Sequence, residues 1–403
     1  MTTPTPAPTE EPAPVAVIGA GAMGTGIAQV AAQAGHEVHL VDAVRGAAAA
    51  ARERLAATLR RLVDKGKVSA ADASATLERI HLGPAAQGDL AALPPVGLVV
   101  EAAVERLDVK REIFGTLATH QCDDTVLASN TSSLDITAIA DGIPRPGRVL
   151  GLHFFNPPPL MRLVEVVRGE HSDPAVLDAA AALVRGWGKT PVRCTSTPGF
   201  IVNRVARPFY GEAQRMVADG IADPATIDLA LREHAGFRMG PMELTDLIGQ
   251  DVNLAVGTSV WEQTGQDPRY RPTAYQRGLV ESGRLGRKTG HGVFRYDESG
   301  LALDAAPDEG LAGRLVGGPV TTDPVARTLA MLVNEAVDLV HRGEASASDV
   351  DTAMRLGTNY PNGPHEWLQQ IGAATILAQL RELDEAFPGG RYRVSPALQE
   401  MAR

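Results

Sequence analysis

Three stretches of the chain carry residues suited to chemistry. Gly19-Ala20-Gly21-Ala22-Met23-Gly24 follows the apolar, β-branched run Val15-Ala16-Val17-Ile18. Ser129-Asn130-Thr131-Ser132-Ser133 follows the short apolar run Val126-Leu127-Ala128. Gly151-Leu152-His153-Phe154-Phe155-Asn156-Pro157 places an imidazole at the end of another candidate strand, Val149 to Phe155. Glu165 comes twelve residues after His153, inside the run Leu163 to Val167, a spacing at which a strand, a turn and a returning strand could bring its carboxylate back beside the ring. An imidazole titrates near ~6.5, and a neighbouring carboxylate both orients it and stabilises the imidazolium, which is the equipment of general acid–base chemistry. A further stretch, Pro198-Gly199-Phe200-Ile201-Val202-Asn203-Arg204, opens a helix where one domain gives way to the next.

The glycine stretch has the context of a dinucleotide-binding turn. Thr25 to Ala34 continues as a helix that Gly35 stops, and a second strand, Glu37 to Val41, ends at Asp42. In such a turn the first glycine makes the tight bend, the second admits a pyrophosphate to the backbone, and the third lets helix pack on strand. The helix N-terminus then faces the phosphates. Asp42, eighteen residues past Gly24, is placed to bond a ribose 2′-hydroxyl and would repel a 2′-phosphate, so NAD is favoured over NADP, a preference that the nearby Arg45 qualifies.

The elements around these stretches alternate. Ala47 to Ile80 is helical in composition and broken at Lys65-Gly66-Lys67, with Ser69 as N-cap of the second arm, a helical hairpin inserted between strands. Leu98-Val99-Val100 and Val126-Leu127-Ala128 are separated by a helical Leu107 to His120. The predicted fold is α/β: a Rossmann-type doubly wound sheet with an inserted helical hairpin, followed by two tandem all-α helical domains. Its parts are a disordered, proline-rich leader (1–14), an NAD-binding domain (15–196), a first helical domain (197–298), a linker (299–319) and a second helical repeat (320–403). The chain carries 38 Lys and Arg against 48 Asp and Glu, a net charge of −10, with no long basic run, which argues against a nucleic-acid partner. Two cysteines cannot form a disulfide framework, and no apolar stretch approaches the ~20 residues of a membrane span, so the expected setting is the cytoplasm, with no membrane partner and no metal.

Taken together, Ser-Asn-Thr-Ser-Ser at 129–133, Gly-Leu-His-Phe-Phe-Asn-Pro at 151–157, Leu-Val-Glu-Val at 163–166 and Pro-Gly-Phe-Ile-Val-Asn-Arg at 198–204 resemble, in order and spacing, the L-3-hydroxyacyl-CoA dehydrogenase family. Gly240-Pro241-Met242-Glu243-Leu244 and Leu285-Gly286-Arg287-Lys288-Thr289-Gly290 extend the likeness over nearly all of residues 15–297. Around residues 236–240 and 246–251 the longer layout most resembles bacterial 3-hydroxybutyryl-CoA and 3-hydroxyadipyl-CoA dehydrogenases. The resemblance implies NAD-dependent oxidation of a 3-hydroxyacyl-CoA to a 3-ketoacyl-CoA, and the reverse. His153 is implied as general base, Glu165 as the carboxylate that orients it, and Ser132 and Asn203 as partners of the reacting oxygen. It also implies cofactor contacts at Gly19, Gly21, Met23, Gly24, Asp42, Glu105, Lys110, Asn130 and Lys288, and contacts to the CoA portion at Thr58 and Lys65. Blander readings stand beside several of these: a solvated helix face for Lys110, Thr58 and Lys65, a structural turn for Lys288, helix caps for Ser132 and Asn203.

Other functions share parts of the pattern. A 6-phosphogluconate-type dehydrogenase has the glycine turn but uses a lysine; an L-gulonate or λ-crystallin type of sugar-acid dehydrogenase keeps the His–Glu pair and changes the substrate; a non-catalytic NAD-binding protein would not need Ser132, His153, Glu165 and Asn203 together. Finally, residues 212–249 align without gaps on 335–372 at a constant offset of 123, with Glu212-Ala213 on Glu335-Ala336, Gly240-Pro241 on Gly363-Pro364 and Asn203 on Ala326. The second repeat therefore lacks the asparagine. Because the helical domain supports dimerisation in single-repeat members of the family, the expected assembly is a homodimer or a monomeric pseudo-dimer with one active site per chain.

Overall fold

A computed structural model describes residues 12–83 and 88–403; most of the expected leader lies outside the described residues. Within them, Pro14 O accepts a hydrogen bond from Gly97 N at 2.9 Å, and Ala13 O is paired with His36 Nδ1 at 2.8 Å. The chain divides into two compact units between Pro191 and Val192.

The first unit is built on a sheet of β1 (Val15–Ile18), β2 (Val38–Val41), β3 (Ile80–His81), β4 (Leu98–Glu101), β5 (Val126–Ser129), β6 (Val149–Phe154), β7 (Leu163–Arg168) and β8 (Thr190–Thr195), in the order β3-β2-β1-β4-β5-β6-β7-β8. From β3 through β6 every pairing is parallel, and β6 and β7 run antiparallel. The parallel strands are continuous apolar runs because helices cover them. Val17, Leu40 and Val100 of the sheet share one buried cluster with Ile27 and Leu55 of the helices Ala22–Gln33 and Ala47–Asp64. The strand order turns at β1 and β4, which opens a crevice at the carboxyl ends of the strands, the place where such sheets take ligands. The inserted hairpin is Ala47–Asp64 and Ala70–Glu78, and Ser69 caps the second arm by accepting from Asp72 N at 3.0 Å. Two strands carry no clear sequence signal: β3 has two residues, and β8, Thr-Pro-Val-Arg-Cys-Thr, is too polar to stand out.

The second unit is helical, and its repeat is visible element by element. The helices Pro241–Ile248 and Gln250–Gln263 recur as Pro364–Ile371 and Ala373–Ala386, and Pro224–Ala235 recurs as Ala347–Gly357. The two copies form one compact unit because each buries its glutamate in the other's cations. Glu212 accepts from Arg327 Nε (2.8 Å), Arg391 Nε (2.7 Å) and Tyr392 Oη (2.7 Å). Glu335 accepts from Arg204 Nε (2.5 Å), Arg269 Nη1 (3.0 Å) and Tyr270 Oη (2.6 Å). Arg327 is the offset counterpart of Arg204, and Arg391-Tyr392 repeats Arg269-Tyr270. The exchange is isologous, as at a twofold interface. On the same pseudo-axis the counterparts Phe237 and Tyr360 meet edge to face, their ring centroids 5.0 Å apart. The connecting stretch holds a helix of its own, Glu309–Leu315, anchored by Asp308 N donating to Thr226 Oγ1 at 2.8 Å.

Burial alone would push the Glu212 and Glu335 carboxyls up from 4.5, but Arg391 and Arg327 in one case, and Arg204 and Arg269 in the other, hold each at about 2. The stabilisation is therefore complete above pH 4.5 and is lost as the pH falls towards 2. The urea midpoint of the full chain is expected to fall steadily from pH 5 to pH 3. Glu212→Gln, which strands buried arginines, should lower stability at pH 7 by about 3–5 kcal/mol and flatten that acid limb.

Candidate active site

The antiparallel reversal between β6 and β7 creates the central pair. In their register His153 lies directly opposite Glu165, and Nδ1 and Oε2 are 2.6 Å apart. Cross-strand partners project to the same face, so the two side chains meet without any long-range arrangement. Glu165 is wholly buried and His153 is 6% exposed. With the carboxylate accepting from Nδ1–H, the ring's acceptor lone pair is on Nε2. Asn130 fixes the strand end next to the ring, its Oδ1 accepting from Phe154 N at 2.8 Å. Lys189 Nζ donates to Pro158 O (2.5 Å) and Met161 O (2.9 Å), holding the connection that returns the chain to β7.

The loop bearing Ser132 hangs on a charge network in which Lys110 and Glu101 are buried and Glu105 reaches the surface. Glu105 Oε1 accepts from Thr131 Oγ1 (2.6 Å), Ser132 N (3.0 Å) and Ser133 Oγ (2.9 Å). Lys110 Nζ donates to both oxygens of Glu101 (2.7 and 2.9 Å) and lies 3.3 Å from Glu105 Oε2, while Ser129 Oγ donates to Glu101 Oε2 at 2.6 Å. Burial works to raise the Glu105 carboxyl, yet Lys110 and the loop's hydroxyls and N–H leave it below its ordinary value. Lys110 is 1% exposed, which rules out the solvated helix face as its environment. The hub, Glu101, escapes sequence reasoning; its signal is an acid closing the apolar strand Leu98–Glu101.

The glycine turn has the geometry its chemistry needs. Gly19 is at φ 107°, and a Cβ on Gly24 would lie 1.8 Å from Gly19 O. A Cβ on Gly21 would meet nothing within 4 Å, so the backbone entering helix Ala22–Gln33 is open to an approaching group. This cradle fits a pyrophosphate. Asp42 closes the far side, accepting from Ala20 N (2.7 Å) and Val44 N (2.8 Å). Met23 packs half-buried against the sheet's core.

A cleft of about 470 Å³ beside the turn is lined by Gly21, Thr25, Arg54, Thr58, Asn156 and Leu160, among others. Thr58 thus faces the cleft, whereas Lys65 is the exposed C-cap of the same helix and is not among its lining residues. Asn203 and Lys288 belong to the second unit. Asn203 is on the short helix Val202–Val205 and its carbonyl accepts from Arg207 Nε at 2.7 Å; Lys288 Nζ donates to both Asp251 oxygens, at 2.6 and 2.7 Å. Among the described residues no group of three or more His, Cys, Asp or Glu side chains is arranged to hold a metal, and no helix is long and apolar enough to cross a membrane.

Comparison with known proteins meets this geometry. Residues 14–197 match the 3-hydroxyacyl-CoA dehydrogenase NAD binding domain, and residues 199–296 and 324–403 match the C-terminal domain of the same enzymes. This chain belongs to the 3-hydroxyacyl-CoA dehydrogenase family. It is 42% identical to 3-hydroxyadipyl-CoA dehydrogenase of Escherichia coli K12, over 96% of this chain and 97% of the relative. The mitochondrial hydroxyacyl-coenzyme A dehydrogenase of Sus scrofa is 40% identical over 70% of this chain and 90% of its own length. The crystal structure of 3-hydroxybutyryl-CoA dehydrogenase from Escherichia coli K12 superposes with a TM-score of 0.86 at 41% identity, covering 96% of this chain and 98% of that one. The family's cofactor is NAD, and the open backbone of the glycine turn, with Asp42 beyond it, could hold such a dinucleotide.

A 2′-phosphate placed at Asp42 would meet like charge, so kcat/KM with NADH is expected to exceed that with NADPH by about tenfold or more, the equivalent of roughly 1.4 kcal/mol. Initial rates with the two cofactors check this. Equal efficiencies would contradict it, and Asp42→Ala should narrow the gap.

Proposed function

We propose that this chain interconverts L-3-hydroxyacyl-CoA and 3-ketoacyl-CoA thioesters with NAD. The observation that carries the reading is the buried 2.6 Å contact between His153 and Glu165 in a sheet whose glycine turn suits a dinucleotide. Oxidising a secondary alcohol requires removal of a proton from oxygen and a hydride from the adjoining carbon. NAD, when bound, accepts the hydride. His153 Nε2 takes the hydroxyl proton, and Glu165, bonded at Nδ1, steadies the imidazolium that results. In the reverse direction the same nitrogen returns the proton to the forming alkoxide.

Ser132 and Asn203 are assigned to the reacting oxygen, and Asn130, Glu105, Lys110 and Lys288 to the cofactor side, on the strength of the family motifs. Where Lys110 is already committed to Glu101 and Glu105, its contribution is to fix the loop that presents Ser132. Thr58, facing the cleft, and Lys65, at its helix end, are assigned to the CoA portion. A short or dicarboxylic acyl chain is the favoured substrate, since one close relative is named for 3-hydroxyadipyl-CoA and a close structural neighbour for 3-hydroxybutyryl-CoA. The second helical repeat closes the helical core within one chain, giving one site per chain in a monomeric pseudo-dimer or a homodimer. Cys122 and Cys194, neither in a disulfide, suit the cytoplasm.

The test is NADH oxidation with acetoacetyl-CoA, longer 3-ketoacyl-CoAs and 3-oxoadipyl-CoA, for the native protein and for His153→Gln. The native protein should turn over at least one of these thioesters. His153→Gln should lose about 10² to 10⁴ in kcat while binding NADH as before. Inactivity of the native protein on the whole panel would refute the substrate class; a variant with most of its turnover intact would refute the base.

A further inference from the structure

The pseudo-symmetry of the second unit is broken around Asn203. On the far side, Arg327 and Arg391 face one carboxylate, Glu212, and the remaining hydrogen-bonding capacity of Arg327 goes to Thr321 O and Tyr392 Oη. On the near side, Arg204 and its neighbour Arg269 face three carboxylates: Glu335, Asp338 and Glu344. The offset counterparts of Asp338 and Glu344 in the first repeat are Arg215 and Ile221, so neither acid is shared by the two copies. Arg204 immediately follows Asn203.

Glu344 does more than balance charge. Its Oε2 is bonded by Arg204 Nη1 and also accepts from Thr197 Oγ1 at 3.0 Å; its carbonyl accepts from Thr195 N at 2.8 Å; and the adjoining Ala345 forms a β-bridge with Cys194. One oxygen thus ties the residue before the Pro198–Asn203 turn to the residue after it. Between those ties the backbone is in a conformation that side chains disfavour, with Gly199 at φ 79° and Phe200, a bulky residue, at φ 49°. A turn of this kind persists only if its surroundings hold it. Arg207, from the following helix, adds the bond from Nε to Asn203 O. At the second repeat's own equivalent position stands Ala326, with no asparagine to hold.

We infer that Glu344, supported by Asp338, is a positioning residue: the second repeat, having lost its own asparagine, clamps the turn that presents Asn203 in the first. The inference rests on the role given to Asn203 above. It assigns to residues 324–344 a part in turnover, beyond completing a helical core.

Glu344→Ala, Thr197→Val, Asn203→Ala and the double variant Asn203→Ala/Glu344→Ala are compared in the full-length protein by acetoacetyl-CoA reduction, NADH binding by fluorescence, and thermal melting. Glu212→Gln, which damages the opposite cluster, is the structural control, assayed well below its melting temperature. Glu344→Ala should lower kcat by about 10- to 100-fold, the effect of a slight misplacement of a reacting group, with NADH affinity unchanged. Thr197→Val should lose less, and Glu212→Gln should keep native kcat while folded. Once Asn203 is absent, removing Glu344 as well should change kcat no further. Native kcat in Glu344→Ala overturns the inference, as does a loss that multiplies with that of Asn203→Ala or one that Glu212→Gln reproduces. Failure of the native protein to reduce any 3-ketoacyl-CoA would instead overturn the function on which the inference rests.

Discussion

The bond between His153 and Glu165 imposes most of what is specific about the first unit. A buried carboxylate must have a partner, and a buried imidazole that is to exchange a proton must have its other nitrogen fixed. Placing the two on adjacent antiparallel strands, in register, meets both demands at a separation of twelve residues. The reversal has a structural consequence. A parallel sheet serves the dinucleotide turn at one end of its strands, and the chain then leaves the parallel pattern at β7 so that a carboxylate lines the same face as the imidazole. Asn130 and Lys189, which bond main-chain groups of the segment between the two residues, are understandable as restraints on that geometry.

Two further charge networks follow the same rule, the buried Lys110–Glu101 pair with the exposed Glu105 beside it and the arginine–glutamate clusters of the second unit. Lys110, Glu101 and Glu105 hold the serine-rich loop from below, so that a lysine within a helix face serves the interior. In the second unit, two glutamates and four arginines are taken out of water, which is costly unless every charge is paired. The reciprocal arrangement pairs them across the two copies, so neither copy satisfies its own glutamate. This explains why the duplicated helices form one body and why the connecting segment can pack against the first repeat without separating the two.

Much of this was legible in the residues. The glycine turn, the helix Leu107–His120, the Ser69 cap and the helical repeat each have a local signal of spacing or residue type, and the structure places those elements at the expected positions. The returning strand was legible for the same reason, since a connection of only eight residues, 155–162, separates two apolar runs. What was hidden depends on partners far away in the chain. Lys110 looks like any lysine on a helix until Glu101 is seen beneath it. The pairing of Glu212 with Arg391 spans 179 residues, and the offset of 123 slips by one before Arg391-Tyr392, which conceals the correspondence with Arg269-Tyr270. Short or polar strands such as β3 and β8 acquire their conformation from neighbours in the sheet.

If the imidazole and the carboxylate act as one unit, their contributions to turnover cannot be independent. A double-mutant cycle on kcat for 3-ketoacyl-CoA reduction, with Glu165→Gln, His153→Gln and the two combined, measures this directly. The account requires that Glu165→Gln slow the native enzyme substantially but have little further effect once His153 is replaced. Losses that multiply, leaving the double variant slower than His153→Gln by the full effect of Glu165→Gln, would contradict it.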